Sequence, residues 1–185
     1  NLTIGSSSKR REFQFKSHFK NIICKNIRGN IDSRISKVKR GEYDGTILAL
    51  AGIQTLKLDH EVKKIFSEDK IIPCAGQGVI AVQCRKNDFD NLKILKKIND
   101  EDTKICAITE RSLLKTIGGD CHTALGAYAK IDKNNIIIIA QLFSDDGLKS
   151  FSIKKIGDKE LPEKLGISSG KELLKKSEGY YKKKR

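Results

Sequence analysis

The sequence has few of the residues and patterns that mark a membrane or secreted protein. It contains no methionine and no tryptophan, only two prolines, and 6% aromatic residues. No apolar run approaches the roughly 20 residues that a membrane-spanning helix needs. Residues 1–11 lack the apolar core of a signal peptide. We therefore expect neither membrane insertion nor secretion, and the absence of methionine favours a piece of a longer reading frame.

The cysteines follow no pattern of metal binding. Cys24, Cys74, Cys84, Cys106 and Cys121 stand singly, with no Cys-x-x-Cys pair. Metal sites need clustered ligands, so no metal is expected. An odd number of unclustered cysteines favours a reducing compartment.

Positive charge is in excess. The 37 Lys and Arg residues against 23 Asp and Glu residues give a formal net charge of +14. Such a surplus favours an anionic partner, such as nucleic acid, acidic lipid or a small polycarboxylate. Lysine is abundant throughout the chain, however, and a solvated surface with no binding role explains the charge equally well.

Strand-like and helix-like segments alternate at the start of the chain. Apolar patterning predicts strands at residues 1–5, 21–27 and 46–51, with helices at about 8–19 and 31–40. The continuous apolar run at 46–51 is typical of a strand covered on both faces. Alternation of this kind predicts an α/β lobe with a parallel sheet.

The second half predicts a small α+β domain. A helix at about 102–117 is ended by two glycines, and strands are expected at 123–131, 135–143 and 148–156. A final helix is expected at about 168–177. These segments predict a three-stranded antiparallel sheet with helices on one face. In between, residues 79–84 are strand-like, and residues 88–99 are predicted to be a helix or a linker.

Arginines stand at two of the expected strand-to-helix junctions. The run Ser-Ser-Ser-Lys-Arg-Arg occupies residues 6–11, and Arg-Gly-Asn-Ile-Asp-Ser-Arg occupies residues 28–34. Such junctions lie side by side at the ligand-binding edge of a parallel sheet, and helix N-termini and guanidinium groups both bind anions. The pattern predicts an anion site; the alternative is a capped helix followed by exposed charges. The candidate residues are Ser6, Ser8, Arg10, Arg11, Arg28 and Arg34.

A thiol stands on a glycine-containing loop. The residues Gly-Gly-Asp-Cys-His-Thr at 118–123 place Cys121 between a helix and a strand. Glycine allows a ligand to approach the backbone closely, and a loop cysteine in basic surroundings can act as a nucleophile. An ordinary half-buried cysteine explains the same residues, and the adjacent His122 adds little.

Taken in order, these segments resemble the porphobilinogen deaminase family. The matching motifs lie at residues 4–11, 27–34, 43–52, 76–78 and 119–123, and the resemblance is strong over residues 2–150. It implies a partial doubly wound lobe, like that of periplasmic binding proteins, followed by a small α+β domain. It also implies a transferase of tetrapyrrole biosynthesis. Such an enzyme joins four porphobilinogen molecules head to tail, with loss of ammonia, to give hydroxymethylbilane.

The resemblance also implies a cofactor. The family builds its product on a dipyrromethane held by a thioether to a loop cysteine, which is Cys121 by motif position. Each pyrrole carries an acetate and a propionate, so the growing chain accumulates negative charge. Arginines at positions 10, 11, 28 and 34 and the hydroxyls of Ser6 and Ser8 are expected to bind these acid groups. Gln77 is expected to line the same cleft.

The chain departs from the family pattern at two places. Gln54 and Thr55 stand where the family commonly has an arginine, so that contact is expected either to be missing or to be replaced by Thr55 or Lys57. The family's catalytic aspartate lies in a first domain that precedes the Ser-Ser-Ser motif, and no acidic residue here matches its motif. The isolated chain is therefore expected to be inactive.

The resemblance divides the chain into three parts. Residues 1–72 are expected to form a partial α/β domain that binds cofactor and substrate. Residues 73–99 are expected to be a crossover strand and linker that would pair with the missing first domain. Residues 100–185 are expected to be the domain that carries the cofactor cysteine. The parent enzyme is expected to be a monomer of the cytoplasm or plastid stroma, with porphobilinogen and the growing oligopyrrole as partners.

Two other functions remain open. A basic nucleic-acid-binding module would explain the charge through phosphate contacts. It leaves the Ser-Arg-Arg and Gly-Asp-Cys motifs unexplained, and the few aromatic residues offer little for base stacking. A non-catalytic anion-binding α/β lobe is the third interpretation.

Overall fold

Two small sheets organise the chain. The computed structural model describes residues 1–120 and 122–181. The first sheet is parallel, with strand order β2-β1-β3, and the second is antiparallel, with order β4-β5-β6. None of the helices in the described part of the chain combines the length and apolar character needed to span a bilayer.

The parallel sheet confirms the predicted α/β lobe. Its strands are β1 (Leu2–Gly5), β2 (Ile22–Lys25) and β3 (Gly45–Thr46). Helix α1 (Lys9–His18) connects β1 to β2, and α2 (Ile31–Lys39) connects β2 to β3. Polar residues cap both helices at their N-termini: the side chain of residue 8 accepts from a backbone N–H of α1, and that of residue 30 does so for α2.

The strand predicted at residues 46–51 is wrong beyond its first residue. Only Gly45 and Thr46 pair with β1, opposite Ile4 and Gly5. Strand β1 ends at Gly5, so the pairing stops after one further backbone hydrogen bond, from Ile47 N to Gly5 O at 3.4 Å. The chain instead enters helix α3 (Leu50–Thr55). An apolar run of this length fits a buried helix as well as a buried strand.

The predicted strand at residues 79–84 also does not form. These residues are irregular, and Ile80 is 90% and Val82 is 59% exposed. Within the described residues this segment pairs with no other strand. Helix α4 (Phe89–Ile98) follows it, which confirms the helical alternative for that stretch.

The C-terminal unit confirms the predicted α+β domain. Helix α5 (Glu101–Ile117) precedes β4 (Leu125–Asp132), β5 (Asn135–Phe143) and β6 (Ser150–Asp158), and helix α6 (Pro162–Lys176) follows. Both helices pack against the antiparallel sheet. The core between them includes the fully buried residues Leu113, Ile117, Ile136, Ile138, Leu142 and Leu173.

Helix α6 begins six residues before its predicted start. Glycine lowers helix propensity, and two glycines, Gly166 and Gly170, lie on either side of the predicted start at residue 168. Both glycines face α5. A Cβ on Gly166 would run into the carbonyl oxygen of Thr109, and one on Gly170 would lie 2.6 Å from the Cβ of Thr116. The glycines therefore allow the two helices to approach closely.

We expect Gly166→Ala to destabilise the chain by about 1–3 kcal/mol, because the added methyl overpacks the contact between α5 and α6. This cost outweighs the gain of about 0.5–1 kcal/mol in helix propensity. Urea unfolding measures the change. Lys164→Ala, at an exposed position on the same helix, is the control and should change little. A Gly166→Ala chain as stable as wild type would contradict the close packing.

Candidate functional site

Two neighbouring arginines of α1 share one acceptor. Arg10 Nη2 donates to Gln77 Oε1 at 3.2 Å, and Arg11 Nη2 donates to the same oxygen at 3.4 Å. The other terminal nitrogens bind backbone carbonyls: Arg10 Nη1 donates to Ile72 O at 2.6 Å, and Arg11 Nη1 donates to Ile47 O at 3.1 Å. Residues from three separate segments thus meet around two guanidinium groups.

The positive charge of this pair is desolvated. Arg10 is only 5% exposed, and burial lowers its pKa to about 10; the neighbouring Cys74 sulfur opposes this shift and Arg11 adds to it. Burial also lowers the pKa of Arg11; Cys74 again opposes the shift, and Arg34 adds to it. Over residues 1–120 and 122–181, none of the ion pairs includes Arg10, Arg11 or Arg34. Buried charge without a countercharge is costly, which is typical of a site that binds an anion.

Ser6 and Ser8 shape the start of α1. The backbone N–H of Ser8 donates to Ser6 Oγ at 3.2 Å, and Ser6 Oγ donates to the Ser8 carbonyl at 3.3 Å. Ser8 Oγ accepts from the backbone N–H of Arg11 at 3.4 Å. These bonds fix the turn from which the two arginines project. Contact of the serine hydroxyls with a ligand stays a prediction.

Arg34 and Arg28 are placed differently from each other. Arg34 is half-buried, its Nε donates to Gly29 O at 2.8 Å, and it lies close enough to Arg11 to affect its pKa. Arg28 is exposed on the turn before α2, and its carbonyl accepts from Lys37 Nζ at 3.2 Å. The structure therefore brings Arg34 towards the arginine pair but leaves Arg28 exposed. The predicted binding roles of both residues are untested.

The two candidates for the replaced arginine contact differ in availability. Thr55 Oγ1 donates to Ala51 O at 2.8 Å, within its own helix. Lys57 is exposed, with a left-handed backbone (φ 55°) just after the end of α3. The Thr55 hydroxyl thus already has an acceptor, and replacement of the arginine contact by either residue stays a prediction.

The sequence reasoning missed Gln14. This residue of α1 is fully buried. Its Nε2 donates to Ile72 O at 3.0 Å, and its Oε1 accepts from Ile72 N at 2.6 Å. Gln14 lies four residues after Arg10, on the same face of the helix. That spacing of two polar residues was the available signal for a shared role.

Glu110 of α5 is a second residue that the sequence reasoning missed. Its Oε2 accepts from Gly76 N and its Oε1 from Ala129 N, both at 2.7 Å. Burial raises the pKa of this carboxyl, and the two backbone hydrogen bonds oppose the shift. The adjacent Pro73 O accepts from Ala127 N at 2.8 Å. The outer edge of β4 is therefore satisfied by a side chain and a loop.

The loop that carries the predicted cofactor cysteine is closed by hydrogen bonds on either side of it. Gly118 ends α5 in a left-handed conformation (φ 69°). Asp120 Oδ1 accepts from His122 N at 2.9 Å and from Thr123 Oγ1 at 3.0 Å. Cys121 lies outside the described residues, so its role stays a prediction.

Comparison with known proteins gives the family. The model described as "Porphobilinogen deaminase, dipyromethane cofactor binding domain" matches residues 1–93, and the model of the C-terminal domain of porphobilinogen deaminase matches residues 104–175. The chain belongs to the porphobilinogen deaminase family. The resemblance read from its motifs is confirmed at the level of the family.

Curated porphobilinogen deaminases are similar over most of the chain. The protein of Caldicellulosiruptor saccharolyticus is 43% identical over 160 residues, which cover 86% of this chain and 54% of the relative. Those of Coxiella burnetii and Blochmanniella pennsylvanica are 34% and 35% identical over 171 residues, covering 92% of this chain and 56% and 57% of the relatives. The chain spans about half the length of the curated relatives it matches.

We expect Arg10→Met to leave the free energy of unfolding within about 1 kcal/mol of wild type, or to raise it, because the change removes a buried charge that no carboxylate compensates. The Ile72 carbonyl keeps the Gln14 donor, and Gln77 keeps Arg11. Urea unfolding measures the effect, with Arg40→Met at a surface ion pair as the control. A loss above about 3 kcal/mol would show that Arg10 has a structural partner instead.

Proposed function

We propose that this chain provides the cofactor-anchoring and carboxylate-binding parts of a hydroxymethylbilane synthase. Such an enzyme condenses four porphobilinogen molecules head to tail, with loss of ammonia at each step. The observation that carries the proposal is the convergence of buried Arg10 and Arg11 on Gln77, with no countercharge among the described residues. Membership of the porphobilinogen deaminase family supports the substrate.

The arginine pair fits a carboxylate ligand. A guanidinium carries five N–H donors, and hydrogen bonds from Arg10 and Arg11 to described residues use only the two terminal nitrogens of each. The remaining donors can form the parallel bonds that a carboxylate accepts. Porphobilinogen carries two carboxylates, and an oligopyrrole carries more. A ligand of this kind would supply the negative charge that the site lacks.

The chain's own residues also fit a dipyrromethane cofactor. We propose that Cys121 holds it through a thioether, and that Arg10, Arg11, Arg28 and Arg34 bind its carboxylates, with Ser6 and Ser8 at the turn before α1. When bound, the cofactor supplies the pyrrole to which new units are joined. The arginines and Gln77 orient the acid groups. The match of residues 1–93 to a dipyrromethane-binding domain supports the cofactor, and the thioether at Cys121, outside that match, rests on the motif.

The burial of the arginines favours a small acid over a nucleic acid. Proteins that bind duplexes spread their Lys and Arg residues over an exposed face. Here Arg10 is almost inaccessible and Arg11 and Arg34 are half-buried. We therefore propose porphobilinogen and the growing oligopyrrole as partners.

The division of the chain follows from the same proposal. Residues 1–72 bind cofactor and substrate, residues 73–99 link the units, and residues 100–185 carry the cofactor cysteine. The exposed apolar segment at 79–84 would pair with the sheet of a further domain. We propose a monomeric enzyme of the cytoplasm or plastid stroma.

In a full-length deaminase that carries this chain, Cys121→Ala should abolish attachment of the cofactor, because no other thiol occupies the matching motif position. Intact mass spectrometry should show the loss of an adduct of two pyrrole units. Cys84→Ala, outside the proposed site, should keep the adduct. Survival of the adduct in Cys121→Ala would disprove the assignment.

The purified chain alone should form no hydroxymethylbilane. The family's catalytic aspartate has no motif counterpart here, so the proton donor for the leaving amine is absent. A discontinuous assay with porphobilinogen measures the product, with the full-length Caldicellulosiruptor saccharolyticus relative as positive control. Turnover by the chain itself would overturn this expectation.

A further inference from the structure

We propose that Glu110 is a positioning residue for the arginine site: its carboxylate fixes the turn at residues 76–78 and thereby the Gln77 side chain that holds Arg10 and Arg11. The geometry carries this inference by itself. Only the identity of the carboxylate ligand rests on the function proposed above.

The Glu110 carboxylate bridges a loop and a strand. Its two oxygens accept one N–H each, from Gly76 and from Ala129, both at 2.7 Å. The two donors belong to different parts of the fold, a loop and strand β4. Each oxygen meets a different N–H group, so an amide in its place would set the donor NH₂ group against one of these donors.

The turn that Glu110 holds carries Gln77, which contacts the two arginines. Gly76 and Gly78 are left-handed, with φ values of 75° and 85°, and Gln77 N donates to Cys74 O at 3.0 Å. The turn is therefore tight, and holding the Gly76 N–H sets the direction in which the next side chain projects. The Oε1 of Gln77 then accepts from both guanidinium groups.

The segment at residues 72–78 has a second anchor besides Glu110. The same segment is anchored independently a few residues earlier, where Gln14 binds both backbone groups of Ile72 and Pro73 O accepts from Ala127 N. Loss of the two Glu110 hydrogen bonds should therefore free the turn at residues 76–78, while Ile72 and Pro73 keep their own hydrogen bonds. The effect should appear as a change in the positions of the Arg10 and Arg11 side chains.

Glu110→Gln in the 185-residue chain tests the proposal. The amide can accept only one of the two N–H groups, so the affinity for porphobilinogen, measured by calorimetry, should fall about tenfold. The arginine Nε–Hε signals of Arg10 and Arg11 should also shift in the ligand-free NMR spectrum. Glu101→Gln, at an exposed position on the same helix, should change neither.

A double-mutant cycle tests the route through Gln77. If Glu110 acts through this side chain, Glu110→Gln should add no further loss of affinity to a Gln77→Ala chain. An undiminished effect in the Gln77→Ala background would overturn the route. Unchanged arginine signals and affinity in a folded Glu110→Gln chain would overturn the proposal altogether.

The positioning role of Glu110 and the proposed function can fail separately. If the wild-type chain does not bind porphobilinogen but Glu110→Gln still moves the arginine signals, the proposed function fails and the positioning role stands. If Glu110→Gln does not fold, the shorter Glu110→Asp and the addition of trimethylamine N-oxide, which strengthens burial, provide the second test. Failure of both to fold would show that Glu110 is required for folding, and would overturn the positioning role.

Discussion

The two halves of the chain depend on the backbone at Ile72 and Pro73. Ile72 accepts from Arg10 and Gln14 and donates to Gln14, so α1 holds it on one side. On the other side, Pro73 O accepts from Ala127 N, and a Cβ on Gly126 would lie 2.9 Å from the Ile72 Cβ. One short segment therefore satisfies donors from helix α1 and from strand β4, and its position decides where Gln77 meets the arginines.

This arrangement holds two positive charges largely away from water. Arg10 and Arg11 carry like charges, both desolvated, with neutral acceptors around them. Backbone carbonyls and an amide can satisfy hydrogen-bonding capacity, but they do not cancel charge. An anion that binds the folded state alone would stabilise it by an amount that rises with the logarithm of its concentration over its Kd. Since no ion pair among the described residues neutralises Arg10 or Arg11, such binding would link the stability of the lobe to the proposed function.

The sequence predictions succeeded where a pattern is local and failed where a partner decides. The helices after β1 and β2, the strands of the antiparallel sheet and the glycine that ends α5 follow from short-range patterns. The strands expected at 46–51 and 79–84 failed because a strand needs a neighbour along its whole length. The early start of α6 was also missed: Gly166 packs against α5, and the sequence does not show that contact.

The sequence by itself determined the family and the kinds of residue at each junction, since the order and spacing of the motifs survive without any coordinates. Only the tertiary structure decided which arginines are buried and what they bind. Arg10 meets Gln77 across 67 positions and Glu110 meets Gly76 across 34. Contacts at such separations depend on how whole elements pack, and neither a helical nor a strand period encodes them.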